Sequence, residues 1–258
     1  MKVTIIGTGN MGGAIAKGFA SQRIENITEI CITNRSIDKL QMLQKEHPNL
    51  IIEPSFEKAV KDADLIILAV KPWVIEPLLQ RLSLLPNQII ASVAAGITFE
   101  QLEQWTKGTK RFYRIIPNTA IVYQSSMNII ASYNTSKEED QLILDLFNHL
   151  GSSIIIPESK MAAATSISSC GIAYLFKYIQ ASMQAGIELG LTPQEAIQLT
   201  AQTAIGAGTI FIKNKSAHPA IEMDRVSTPG GLTIKGINEL DKQGFTKAII
   251  EAIKKSIA

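Results

Sequence analysis

Short runs of β-branched and aliphatic residues recur along the first part of the chain, each followed by a stretch with helical period. Val3–Ile6 is the first such run, as expected of a strand buried on both faces of a parallel sheet. Gly13-Ala14-Ile15-Ala16 then opens a helix. Glu29–Asn34, Leu50–Glu53, Asp64–Val70, Gln88–Val93, Arg111–Ile116, Asn128–Tyr133 and Ser153–Ile156 predict further strands, with a helix over about 137–150. Strands alternating with helices imply a doubly wound parallel sheet. From Glu158 onward the period is helical throughout. The spacing thus predicts an α/β chain of two domains, residues 1–157 with the sheet and residues 158–258 all helical.

Within the helical part, Thr192-Pro193-Gln194-Glu195 is a capping box with proline at the first helical position. Ala196–Ile212 carries no charge, yet Gln198, Thr200, Gln202 and Thr203 make it too polar, and it is too short, for a membrane span. A helix apolar on most sides is a core or subunit-contact helix, and Gly206 and Gly208 would let another helix come close. The Ala- and Ser-rich segment Met161–Phe176 is similar. Together they predict a homodimer or larger assembly through the C-terminal helices. Composition adds little: 46% hydrophobic and 19% charged residues describe an ordinary soluble protein. A net charge of +2 with no Lys/Arg-rich run gives no case for nucleic acid. Two cysteines, Cys31 and Cys170, and a first strand with no signal peptide before it predict a cytoplasmic protein. No metal site is predicted.

The chemistry starts where the first strand stops. Gly7-Thr8-Gly9-Asn10-Met11-Gly12 fits G-x-G-x-x-G between a strand and a helix, the fingerprint of a Rossmann-type dinucleotide site. Gly7 permits the tight turn, Gly9 lets the backbone approach a pyrophosphate, and Gly12 lets helix and strand pack closely. The freed amides and the helix dipole make an anion site. An NAD site usually places Asp or Glu about 20 residues past the glycines. Here Asn34-Arg35-Ser36 stands there instead. A guanidinium with hydroxyl and amide donors suits a 2′-phosphate, so NADPH is expected, with NADH as the alternative. Lys71-Pro72 ends another strand at the carboxyl edge, where a loop faces the cofactor. Ala94 belongs to a run of small residues, Ala94-Ala95-Gly96, that lets a ligand approach, and Thr98 caps the helix that follows.

Asp224-Arg225-Val226-Ser227-Thr228-Pro229-Gly230-Gly231-Leu232-Thr233 is the other unusual stretch. It reads as a helix start with Thr228 as N-cap and Pro229 first, whose two glycines cost roughly 1 kcal/mol each relative to alanine. That cost points to exposed amides that seat an anionic substrate group, with the Ser227 and Thr228 hydroxyls nearby; a plain turn between helices is the alternative.

These stretches carry a resemblance. GTGNMGG at Gly7–Gly13, AVKP at Ala69–Pro72, SVAAGIT at Ser92–Thr98, PNT at Pro117–Thr119, HPA at His218–Ala220 and VSTPGGLT at Val226–Thr233 resemble the pyrroline-5-carboxylate reductase family, in order and over nearly the whole chain. The resemblance implies an N-terminal Rossmann domain, C-terminal helices that interleave in a dimer, and reduction of Δ1-pyrroline-5-carboxylate to L-proline with NAD(P)H. It adds Ala69, Val70 and Asn118 to the cofactor side, and Val226 and Leu232 to the substrate side. The chain departs from the family's S-G-S-G-P-A-Y at Ser168–Tyr174, from T-S-P-G-G-T-T at Ser227–Thr233, and after P-N-T at Ala120 and Gln124–Ser126. Clustered near the substrate site, these changes resemble the reductase-like paralogs found beside late-competence genes.

The expected mechanism needs no ionisable catalyst, because hydride transfer is governed by positioning. The substrate carboxylate would sit on the amides around Gly230 and Gly231. Thr233, matching the family's final threonine in this loop, would orient the imine nitrogen as the catalytic residue. His47, His149 and His218 are poor general acids by position. Two other readings stand beside this one: a reductase of another small imine or oxo acid, and an NADPH-binding regulatory protein without catalysis.

Overall fold

The computed structural model describes residues 1–106 and 111–257, and the chain divides into two compact units, residues 1–169 and 170–258. The first unit holds strands β1 (Lys2–Ile6), β2 (Glu29–Thr33), β3 (Leu50–Ile52), β4 (Leu65–Leu68), β5 (Ile89–Ser92), β6 (Arg111–Ile116), β7 (Ser126–Tyr133) and β8 (Gly151–Ile155). They form one sheet in the order β3-β2-β1-β4-β5-β6-β7-β8. Between them run helices α1 (Asn10–Ala20), α2 (Ile37–Glu46), α3 (Phe56–Val60), α4 (Pro72–Arg81), α5 (Phe99–Trp105) and α6 (Lys137–Asn148).

Alternation along the central strands builds two cores. Val3 and Ile5 of β1 with Leu65 and Ile67 of β4 face α1, α2 and α6, whereas Ile6, Ile66 and Leu68 face α3, α4 and α5. All eight of the predicted strands are present, and every pair except β6–β7 is parallel. The antiparallel pair departs from the all-parallel expectation. Only residues 117–125 join these strands, and a parallel crossover needs a dozen or more. β1 and β4 are neighbours although not consecutive, so the chain reverses its winding direction there. Loops leaving the carboxyl ends of β1 and β4 therefore flank a crevice, where such sheets bind ligands.

Toward the end of the unit lie a short helix, α7 (Met161–Thr165), and a π-helical turn, Ser166–Cys170, whose last residue is the first of the second unit. Met161 is buried in the second core, so the compact unit runs past the predicted boundary at Pro157-Glu158.

The second unit is helical: α8 (Gly171–Glu188), α9 (Pro193–Lys213), α10 (Pro219–Arg225), α11 (Leu232–Lys242) and α12 (Phe245–Lys255). The capping box at α9 forms as expected, with Thr192 accepting from the Glu195 amide and Glu195 from the Thr192 amide. At Gly186 a Cβ would stand 2.8 Å from the Ala196 Cβ, so glycine there sets the close approach of α8 and α9. Tyr174 on α8 bonds the Ala252 carbonyl and Ser256, tying α12 to α8. Gly206 and Gly208 have no neighbour within 4 Å of a built Cβ, so no described helix of this chain uses the space they leave. Leu199 (58% exposed), Ile205 (61%) and Ile212 (75%) on α9 are uncovered within one chain. No helix of the described residues is long and apolar enough to cross a membrane.

Candidate active site

A cleft of about 560 Å³ lies over the carboxyl edge of β1, β2 and β4. Its floor is the loop Gly7–Met11 and the start of α1. Gly7 has φ +96°, a conformation that favours glycine, and a Cβ there would meet the Ala69 carbonyl at 2.6 Å. A Cβ on Gly12 would fall 1.9 Å from the Gly7 oxygen and 2.7 Å from the Ala69 Cβ. Both glycines are thus demanded by the fold. Gly9 is different. Its φ of −73° is ordinary and a Cβ would meet nothing within 4 Å. It is the N-cap of α1 and gives that helix no side-chain cap, so the first-turn amides keep their donors for a ligand.

The loop is held by β2. The Gly7 amide donates to the Thr33 carbonyl at 2.8 Å, and the Asn34 side-chain amide donates to the Thr8 hydroxyl at 2.6 Å. Asn34 therefore positions the glycine loop. Arg35 lines the cleft beside it, while Ser36, the N-cap of α2, makes no side-chain cap bond and lies outside the lining. Ala69, Val70, Lys71 and Pro72 line the opposite wall, and Val93 and Ala94 close the end by β5. Gly12 lies beneath the loop as a packing residue. Asn118 is not in the lining: its Oδ1 accepts from the Ala120 amide at 3.0 Å and caps the short turn Thr119–Tyr123. Five lining residues were not predicted: Lys39, Phe56, Val74, Leu78 and Val93. Lys39 lies in the first turn of α2, just past Arg35 and the Ser36 N-cap, and no motif in the sequence marks it. Among the described residues, Arg35, Lys39 and Lys71 contribute three cations and no carboxylate lines the cleft. That donor set fits a ligand with two anionic regions, a diphosphate and a second phosphate near Arg35.

Val226–Thr233, the predicted substrate residues, all belong to the second unit. Their conformation corrects the predicted helix start. Thr228-Pro229-Gly230-Gly231 is a turn closed by a Gly231 amide to Thr228 carbonyl bond of 2.9 Å, with Gly230 at φ +72°. Proline followed by glycine of positive φ is the signature of a type II turn. The helix begins at Leu232, with Gly231 as N-cap and no side-chain cap. The Gly231 amide is consequently spent inside the turn. The Gly230 amide and the first-turn amides of α11, from Leu232 onward, are the donors left open. The Ser227 hydroxyl donates to the Met223 carbonyl at 2.8 Å and is not free. Thr233 is exposed, and its hydroxyl has no partner among the described residues. Thr200, Thr203 and Thr209 instead bond the carbonyl four residues back at 2.7–2.8 Å. Thr233 sits too near its helix start to have such a helical carbonyl.

The histidines stay outside both places. His149 pairs through Nδ1 with Gln22 at 3.0 Å, His47 caps the end of α2 and His218 the start of α10. No group of three His, Cys, Asp or Glu that could hold a metal occurs among the described residues.

A cation-lined cleft over a glycine loop at the switch point of a mostly parallel sheet is the arrangement of the dinucleotide-binding, Rossmann-type class of protein. Comparison with known proteins is more specific. Residues 2–96 match the model described as NADP oxidoreductase coenzyme F420-dependent, and residues 158–258 match that for pyrroline-5-carboxylate reductase dimerisation. Pyrroline-5-carboxylate reductase 2 of Dictyostelium discoideum is 36% identical over 97% of this chain and 89% of its own. Reductase 1 of that organism is 33% identical over 97% of this chain, which spans 48% of it. The reductase structure from Streptococcus pyogenes superposes with a TM-score of 0.87 at 29% identity, covering 100% of this chain and 96% of that one. The Plasmodium falciparum enzyme with NADP bound gives 0.85 at 26% identity, covering 100% and 95%. The chain belongs to the pyrroline-5-carboxylate reductase family.

Proposed function

We propose that this chain reduces 1-pyrroline-5-carboxylate to L-proline with NADPH. The observation that carries the reading is the cleft at the β1–β4 switch point, where an uncapped helix start meets three cations and no acid. Bound there, the dinucleotide supplies a hydride to the imine carbon. The chain's own residues position and bind. The amides of α1 hold the diphosphate, and Arg35 holds the 2′-phosphate. The small Ala94 leaves room for the nicotinamide beside β5. In the second unit, the Gly230 amide and the first turn of α11 seat the substrate carboxylate, and the Thr233 hydroxyl donates to the imine nitrogen.

Residues 158–258 form the dimerisation and substrate domain in this reading, with residues 1–157 binding the dinucleotide. The match of the dimerisation model to 158–258 supports that division. The unfilled space at Gly206 and Gly208 and the uncovered Leu199, Ile205 and Ile212 support a second copy on α9, giving a homodimer or larger assembly. Both cysteines are free, which fits the reducing cytoplasm. Relatives named as reductases favour this function over the altered-paralog and regulatory readings. The test is NADPH oxidation followed at its absorbance on addition of 1-pyrroline-5-carboxylate. Imine-dependent oxidation is expected, and tight NADPH binding without oxidation on any imine favours the regulatory reading instead.

A further inference from the structure

The cleft has a polar region and an apolar one, and part of the apolar wall is formed by residues that no motif in the sequence marks. Phe56, the first residue of α3, lines it together with Val74 and Leu78 of α4. Phe56 is half-buried: it packs against the second core and also contributes to the cleft lining. Among the described residues it is the only aromatic one lining the cleft, and Arg35 lines the same space.

Topology fixes what this wall would meet. β2 lies on one side of β1 and β4 on the other, with β3 beyond β2. In a sheet of this kind the diphosphate crosses the β1 loop, and the group that reads the 2′ position stands at the end of β2. The adenosine half therefore lies toward β2 and β3, and the nicotinamide half toward β5, where Val93 and Ala94 are small. The β3–α3 connection brings Phe56 to the adenosine side. Given the cofactor reading above, on which this rests, we propose that Phe56 is the platform for the adenine base. Its ring supplies a π face, and Val74 and Leu78 complete an apolar wall beside the 2′-phosphate site at Arg35.

The probe is 2′-phospho-ADP-ribose, which carries the adenosine half without nicotinamide. Its dissociation constant, and those of NADPH and NADH, are measured by calorimetry for the wild type, Phe56→Ala, Phe56→Leu and Phe56→Trp. Base–aromatic stacking predicts a loss of roughly 5- to 150-fold for Phe56→Ala, equal for all three ligands because all contain adenine. Phe56→Leu should recover little of it and Phe56→Trp most of it. Nicotinamide mononucleotide, which lacks adenosine, should bind every variant alike. The proposal is overturned if Phe56→Ala binds 2′-phospho-ADP-ribose as the wild type does, or if Phe56→Leu matches phenylalanine. A parallel loss for nicotinamide mononucleotide also overturns it, since that would mark a merely structural role. Wild-type protein that binds no dinucleotide refutes the cofactor reading itself.

Discussion

Gly9 and Gly12 occupy one loop for different reasons, and substitution separates the reasons. A methyl group at Gly12 would lie 1.9 Å from the Gly7 carbonyl oxygen, so backbone must move by more than an ångström. Overpacking of that kind costs about 1–3 kcal/mol or more. In a chain of this size each kcal/mol lowers the melting temperature by about 2–4 °C, so Gly12→Ala should melt several degrees early. Gly9 has an ordinary φ of −73°, no neighbour within 4 Å of a Cβ, and the N-cap position of α1. Serine is a better N-cap than most residues, so Gly9→Ser should fold and melt like the wild type or slightly above it. Its hydroxyl would take the first-turn amides for itself and crowd the approach of a diphosphate. Loss of one hydrogen bond to a charged group, about 1.5–3 kcal/mol, predicts NADPH affinity lower by about 10- to 150-fold. Thermal unfolding by circular dichroism without ligand gives the first quantity, and NADPH fluorescence titration the second. If Gly9→Ser binds NADPH normally, or unfolds as early as Gly12→Ala, the division of the two roles is wrong.

Three further outcomes follow from the same geometry. Arg35→Ala should weaken NADPH by about 10- to 150-fold, as one charge-assisted bond is lost, and leave NADH nearly unchanged; equal loss for both would remove Arg35 from the 2′-phosphate site. Thr233→Val should lower turnover by roughly 5- to 150-fold, about 1–3 kcal/mol, while Thr233→Ser keeps most of the rate and NADPH affinity holds. Equal activity of valine and serine would leave the hydroxyl without a role. Changing Ile205 and Ile210, 61% and 44% exposed in one chain, to Asp should dissociate or precipitate the assembly; light scattering that finds the unmodified protein monomeric would contradict the subunit contact.

The fold was legible where constraint is local. β1, the glycine loop and α1 follow from periodicity and spacing, because Gly7 and Gly12 are dictated by contacts within a few residues or to the neighbouring strand. The direction of β7 was missed. Its composition suits either direction, and only the short connection at 117–125 excludes a crossover. The start of α11 was misread because Thr-Pro resembles an N-cap pair, while Pro-Gly with positive φ makes a turn that ends first. Within the site, the glycines, Arg35 and Lys71 declare themselves by type and position. Phe56, Val74 and Leu78 do not, since apolar residues in helices read as core until the sheet order shows the cleft between them. Asn34 was found, but its bond to Thr8 makes it a support of the loop.

The central claim is that this chain moves a hydride from NADPH to the imine carbon of 1-pyrroline-5-carboxylate. NADPH deuterated at both positions of nicotinamide C4, incubated with the protein and the imine, tests it directly when the product is analysed by mass spectrometry and NMR. L-proline carrying one deuterium on the ring carbon that had been double-bonded to nitrogen is the predicted product. Unlabelled proline, or no proline while the protein holds the cofactor, would contradict the account.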